Sequence, residues 1–328
     1  MKLSNPFSKK VYGNSNIPGM GKNSYIYNLI SAIRTNKGLY IMILPVLAYY
    51  IIFCYKPMYG AIIAFKDFNP VDGILHSPWA KMSGLQNFYD FFQSAYFFRV
   101  LKNTLNISVI SIIFGFPAPI ILALLLNELK NRHFTRVVQT ISYMPHFISL
   151  VVVCGIIKDF TSDSGVITYL LSYMGVEKVS MLGKPELFLP IYVISDIWQG
   201  IGWGSIIYLA ALTGINPELY EAAAIDGAGK WRQVLNVTLP CLMPTIMIML
   251  ILRMGNIMNI GYEKIILLYN PAIYETSDVI SSFVYRKGIQ QFDYSFSTAV
   301  GLFNSVINFF FLVMSNWMSR KFNDTSLW

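Results

Sequence analysis

The sequence predicts an all-α membrane protein with about six transmembrane helices, and three observations point there. Over 328 residues, hydrophobic side chains make up 55% and charged ones only 13%, with a mean hydropathy of +0.50, whereas a soluble domain carries roughly 25% charged residues. Apolar runs of about 20 residues, enough to carry a helix across roughly 30 Å of hydrocarbon, recur along the chain. Basic residues, finally, gather in alternate loops, the charge pattern of a multi-pass topology.

In chain order, residues 1–38 form a basic N-terminal segment. Within it, 22–37 places Tyr25, Ile26, Leu29, Ile30 and Ile33 on one face, with Lys22, Arg34 and Lys37 around them, which predicts a helix lying in the membrane interface. Gly19-Met20-Gly21-Lys22 is not a phosphate loop, because the glycine needed five positions earlier is Asn16. The first span, 39–56, follows too long a leader for a signal peptide and is expected to be retained. An extracytoplasmic loop, 57–103, is too polar to span yet holds Tyr59, Phe65, Phe68, Trp79, Phe88, Tyr89, Phe91 and Phe92, and is expected to fold as a cap or meet an external partner.

The remaining spans are expected at 104–126, 137–157, 188–211, 241–260 and 298–318. Pro45, Pro117, Pro119, Pro145, Pro190 and Pro244 fall within spans, where a bundle accommodates them as kinks. Taking 1–38, 127–136, 212–240 and 319–328 as one side, that side holds 13 basic and 5 acidic residues, while the rest of the chain holds 12 of each. The positive-inside rule makes that side cytoplasmic, with both termini and the short tail 319–328. Cys54, Cys154 and Cys241 show neither staple nor zinc spacing, and His76, His133 and His146 are scattered, which argues against a metal site. No basic stripe interleaved with aromatics suggests nucleic acid.

The loop 214–240 carries the clearest motif. Asn216 suits a helix cap and Pro217 the first helical position, Ala222 to Ala224 favour helix, and Gly227 can take a left-handed stop. A short helix of about ten residues, a turn and a second helix from Lys230 to Thr238 are expected. A small-residue helix on a cytoplasmic face is shaped to dock in another protein's groove.

Glu221-Ala222-Ala223, Gly227 after three residues, Val237 after nine more, then Leu239-Pro240 resembles the EAA loop of binding-protein-dependent ABC importer permeases. The family favours isoleucine where this chain has Val237. Phe65-Lys66-Asp67-Phe68-Asn69-Pro70, Ser77-Pro78-Trp79, Tyr294 to Ala299 and the terminal Thr325-Ser326-Leu327-Trp328 are similar to the oligosaccharide and polysaccharide branch, related to the maltose transporter. The resemblance implies a six-helix permease domain (39–318) in a bacterial cell membrane, surrounded by lipid and moving a carbohydrate solute. Implied partners are a second homologous permease, two cytoplasmic ATPase subunits and an extracytoplasmic solute-binding lipoprotein. The chain itself would be no enzyme and bind no cofactor, with ATP and Mg on the ATPase. Glu221, Ala222, Ala223, Gly227, Leu239 and Pro240 would form the coupling element.

Polar residues inside spans are costly and mark candidate solute contacts, with helix packing the plainer alternative. Asp196, Gln199 and Trp203 fall at spacings of three and four in the fourth span, Arg253, Asn256 and Asn259 at spacings of three in the fifth, and Asn304 and Asn308 at four in the sixth. Each set is expected on one helical face. Gly200, Gly202 and Gly204 could mark close helix packing. A stand-alone secondary transporter or channel would place polar groups similarly, but no repeat relates spans 1–3 to spans 4–6. No carboxylate pair, histidine cluster or activated nucleophile suggests an enzyme.

Overall fold

The computed structural model describes residues 35–323, so the interfacial helix, the Gly19–Lys22 segment and Thr325 to Trp328 lie wholly or mostly outside the described residues. The chain divides into two compact units, 1–60 and 61–328. The described residues form helices and no strand; Lys66 and Trp79 make one isolated bridge.

Four helices are long and apolar enough to cross a membrane, or five if one bent pair counts as a single span. They are α1 (Lys37–Phe65), α3 (Phe97–Glu128), α9 (Lys230–Met254) and α12 (Tyr294–Asn323), and the bent pair is α4 (Arg132–Phe147) with α5 (Leu150–Phe160). A short helix α2 (Gln86–Gln93) precedes α3, and α6 (Val166–Ser172) follows α5. Helix α7 (Pro185–Thr213) has 29 residues, ample for a span, but Asp196, Gln199 and its glycines dilute its apolar character. Helices α8 (Pro217–Ile225), α10 (Tyr262–Leu268) and α11 (Ile280–Tyr285) complete the order.

Prolines shape the helices as their chemistry requires. The third predicted span breaks just after Pro145, and α4 and α5 meet at 100°. Three π-type turns, Tyr50–Tyr55, Ser111–Gly115 and Val234–Thr238, each end two residues before Pro57, Pro117 or Pro240. Proline offers no N–H to the carbonyl four residues back, and its ring crowds that carbonyl, so the ladder loosens there.

In the first unit no described side chain is buried. Within the second unit α7 packs along α3, and α9 along α12. Ile107 of α3, Val153 and Ile157 of α5, Phe188 of α7 and Ile265 of α10 share one apolar cluster, and Ile120, Ala123, Tyr208, Leu212 and Leu242 another. Each such buried aliphatic or aromatic side chain contributes about 1.5–3 kcal/mol where water is the alternative, and dispersion packing where lipid is.

Within the second unit, residues 61–103 fold onto the start of α12. Phe91 is buried against Phe97, Phe296 and Phe303, and the Phe68 N–H donates to Ser295 Oγ at 2.9 Å. Lys66 is buried, and its ammonium donates to the carbonyls of Ile74, Leu75 and Ser77 at 2.6–3.0 Å, closing the turn over the Trp79 ring.

Candidate functional site: a polar cavity and an exposed loop helix

A cavity of about 250 Å³ opens among α3, α7, α9 and α10, and a neighbouring one of about 480 Å³ runs along α3, α7 and α9. Asp196, Arg253 and Asn256 line both, so the two adjoin. Together they reach the size of ordinary small-molecule sites, about 300–1,000 Å³.

Of the eight predicted path residues, the smaller cavity gathers Asp196, Gln199, Arg253, Asn256 and Asn259. Their placement is not all helical. Helix α9 ends at Met254, not near residue 260; the Ile257 N–H turns back to Met254 O and the Asn259 N–H to Asn256 O. Asn256 and Asn259 therefore sit on a turn that still faces the cavity. Gly255 is the C-cap, and there an added Cβ would press on the Leu312 side chain.

The other three lie elsewhere. Trp203 is seven residues beyond Asp196, about 10 Å along the axis, and stacks on His146 with centroids 4.6 Å apart and planes 3° from parallel. Asn308 is buried and accepts the Met258 N–H at 2.9 Å, a helix–turn tie. Asn304 donates to Asn259 Oδ1 at 2.7 Å and lines a separate pocket with Tyr262 and Tyr285. Among the glycines, Gly202 abuts the Ser142 backbone, Gly204 abuts Pro119, and both Gly200 and Gly204 border the larger cavity.

Sequence reasoning missed Lys264 because it lies beyond the predicted fifth span. Its ammonium reaches Asp196 Oδ1 and the Tyr192 carbonyl, both at 3.3 Å, and stands 4.7 Å from the Tyr192 ring centre. Glu263-Lys264 directly after an apolar stretch was the available signal. Ser108 and Ser111 of α3 also line the cavity.

At the far end of α9 the 214–240 loop forms the predicted cap. Asn216 Oδ1 accepts the Glu218 N–H at 3.1 Å. Helix α8 closes with Gly227 at φ +74°, the Ala228 N–H on Ala223 O and the Gly227 N–H on Ala224 O, a left-handed stop that glycine adopts without strain. No residue of α8 is buried. The predicted second helix, Lys230 to Thr238, is not separate: it is the opening of α9, and Leu239 and Pro240 lie inside that same helix. Tyr220 Oη lies 3.0 Å from Thr238 Oγ1, and Lys230 lies 3.2 Å from Glu128 at the end of α3.

Residues 115–324 match the family described as Binding-protein-dependent transport system inner membrane component. The chain belongs to that family. The permease is 42% identical to Protein LplB of Bacillus subtilis over 299 residues, covering 91% of this chain and 93% of the relative. It is 40% identical over 301 residues to the polygalacturonan/rhamnogalacturonan transport system permease protein YteP of the same organism, covering 92% and 93%. A chain of a solved bacterial ABC transporter involved in importing the acidic polysaccharide alginate superposes with a TM-score of 0.83 at 44% identity, covering 90% of this chain and 99% of that one. That transporter has also been solved with an alginate pentasaccharide-bound periplasmic protein. The permease is thus a multi-pass membrane subunit of an ABC importer, and ATP hydrolysis belongs to a separate subunit.

Proposed function

We propose that this permease moves an oligosaccharide through the path lined by Asp196, Gln199, Arg253, Asn256 and Asn259. The observation that carries the reading is the convergence of these groups, from two helices and a turn, on one pair of adjoining cavities. Hydroxyl-rich solutes need dense donors and acceptors, and polar groups at membrane depth are otherwise expensive. Trp203, Asn304 and Asn308 then serve packing.

In this reading the chain crosses the membrane six times, α4 with α5 and α7 supplying the third and fourth spans, with both termini and α8 cytoplasmic and 57–103 outside. It pairs with a second homologous permease, two ATPase subunits that bind ATP and Mg, and an extracytoplasmic solute-binding lipoprotein. Helix α8, through Glu221, Ala222 and Ala223, sits in the ATPase groove. Its tie from Tyr220 to Thr238 connects it to α9, and Lys230 at the start of α9 pairs with Glu128 on α3. Helix α9 has 25 residues, about 37 Å at 1.5 Å per residue, and carries Arg253 at its far end. A displacement of α8 is thereby delivered to the cavity as movement of α9 against α7.

The test is uptake by the reconstituted assembly with Asp196→Ala and Gln199→Ala variants. Altered dependence of uptake on solute concentration, with assembly intact, is expected; wild-type kinetics in both would return these residues to packing.

A further inference from the structure

Two acidic side chains, Asp196 and Glu263, and two basic ones, Arg253 and Lys264, line the smaller cavity. Lys264, whose side chain is 5% exposed, is committed to Asp196. Glu263, in the first turn of α10, lines the same cavity and makes no ion pair with any described residue. Arg253 lines both cavities, and its guanidinium makes no hydrogen bond or ion pair with any described residue. It stands in the last turn of α9, whose carbonyl end supplies roughly half an elementary charge. A guanidinium at membrane depth ordinarily has a carboxylate or phosphate opposite it. A second group is unanswered in the same place. Ser111 is buried, 6% exposed, its hydroxyl has no hydrogen-bond partner among the described residues, and it too lines the smaller cavity.

We propose that Arg253 receives the carboxylate of a uronic acid unit, so that the transported saccharide is an acidic one, with Ser111 and Asn256 meeting its hydroxyls. The proposal rests on the oligosaccharide reading above and narrows it. Arg253 offers paired N–H donors in a plane that match a carboxylate side by side, which a neutral sugar cannot use. Of the two carboxylates at the same cavity, Asp196 is held by Lys264, and Glu263 makes no ion pair with Arg253. Two relatives on which this chain maps over nine-tenths of its length act on polygalacturonan/rhamnogalacturonan and on alginate by description, and both are consistent with a carboxylated chain.

The experiment uses the complete assembly, with its partner permease, ATPase and binding protein, in proteoliposomes. Uptake is measured for trigalacturonate, for its fully methyl-esterified form and for maltotriose, with wild type, R253Q and R253K. The proposal expects wild type to take up trigalacturonate in preference to the ester. It further expects R253Q to lower trigalacturonate uptake at least ten-fold more than it lowers ester uptake, with R253K recovering part of the difference. Copurification of R253Q with the partner permease controls for assembly. Equal losses for acid and ester would make Arg253 a structural or partner-pairing residue and overturn the proposal. Uptake of maltotriose but not trigalacturonate would also overturn it while leaving the oligosaccharide reading standing. Failure of every saccharide would overturn that reading itself.

Discussion

Gly227 occupies the left-handed region at φ +74°, and its N–H closes the end of α8 on Ala224. Proline at that position would fix φ near −65° and delete the N–H. Gly227→Pro therefore unwinds the stop that aims α8, and Glu221→Lys reverses a charge on its exposed face. Both variants are expected to abolish ATP-driven uptake at unchanged abundance in the membrane, measured by immunoblot beside proteoliposome uptake; normal uptake in both would remove α8 from the coupling path. Asp278 is a different kind of residue. Its fully buried carboxylate accepts two hydrogen bonds from Arg286, at 3.1 and 2.6 Å, and one from Ser282 at 2.9 Å, with Arg99 at 3.6 Å. Removing one partner of a buried pair costs about 3–5 kcal/mol, because the other charge stays behind. Asp278→Asn should lower the melting temperature of the detergent-solubilised protein by several degrees, and an unchanged melt would show that solvent reaches the pair.

Elements were legible in the sequence where a single local rule governs them. The cap at Asn216, the stop at Gly227 and the 29-residue α7 follow from residue chemistry and apolar length. Boundaries that depend on packing were not legible. Helix α9 starts at Lys230 because the loop's second helix runs straight into the span, and it ends at Met254, where Gly255 packs close to Leu312. Periodicity likewise placed Trp203 with Asp196, yet the bend after Pro145 brings His146 beside Trp203 instead. Lys264 escaped notice because its partner, Asp196, is 68 residues away. The α4–α7 crossing depends on Gly202, whose missing side chain lets the Ser142 backbone approach. Gly202→Val should therefore separate the two helices and reduce the amount of assembled complex on size exclusion; an unaltered profile would mean that the crossing tolerates the shift.

At the scale of the whole molecule, in the proposed reading this chain carries a path and a lever, while its sequence shows no phosphate-binding motif. Its activity is expected only with an ATPase bound to α8 and a loaded binding protein on the outer side. The central claim joins those two ends. The most direct measurement is the ATPase rate of the assembly purified from membranes and reconstituted with its binding protein, with and without saccharide, for wild type and Glu221→Lys. The account predicts saccharide-dependent stimulation of the wild type and loss of that stimulation in the variant. A permease that purifies without an ATPase, or an ATPase rate indifferent to both saccharide and Glu221, would contradict it.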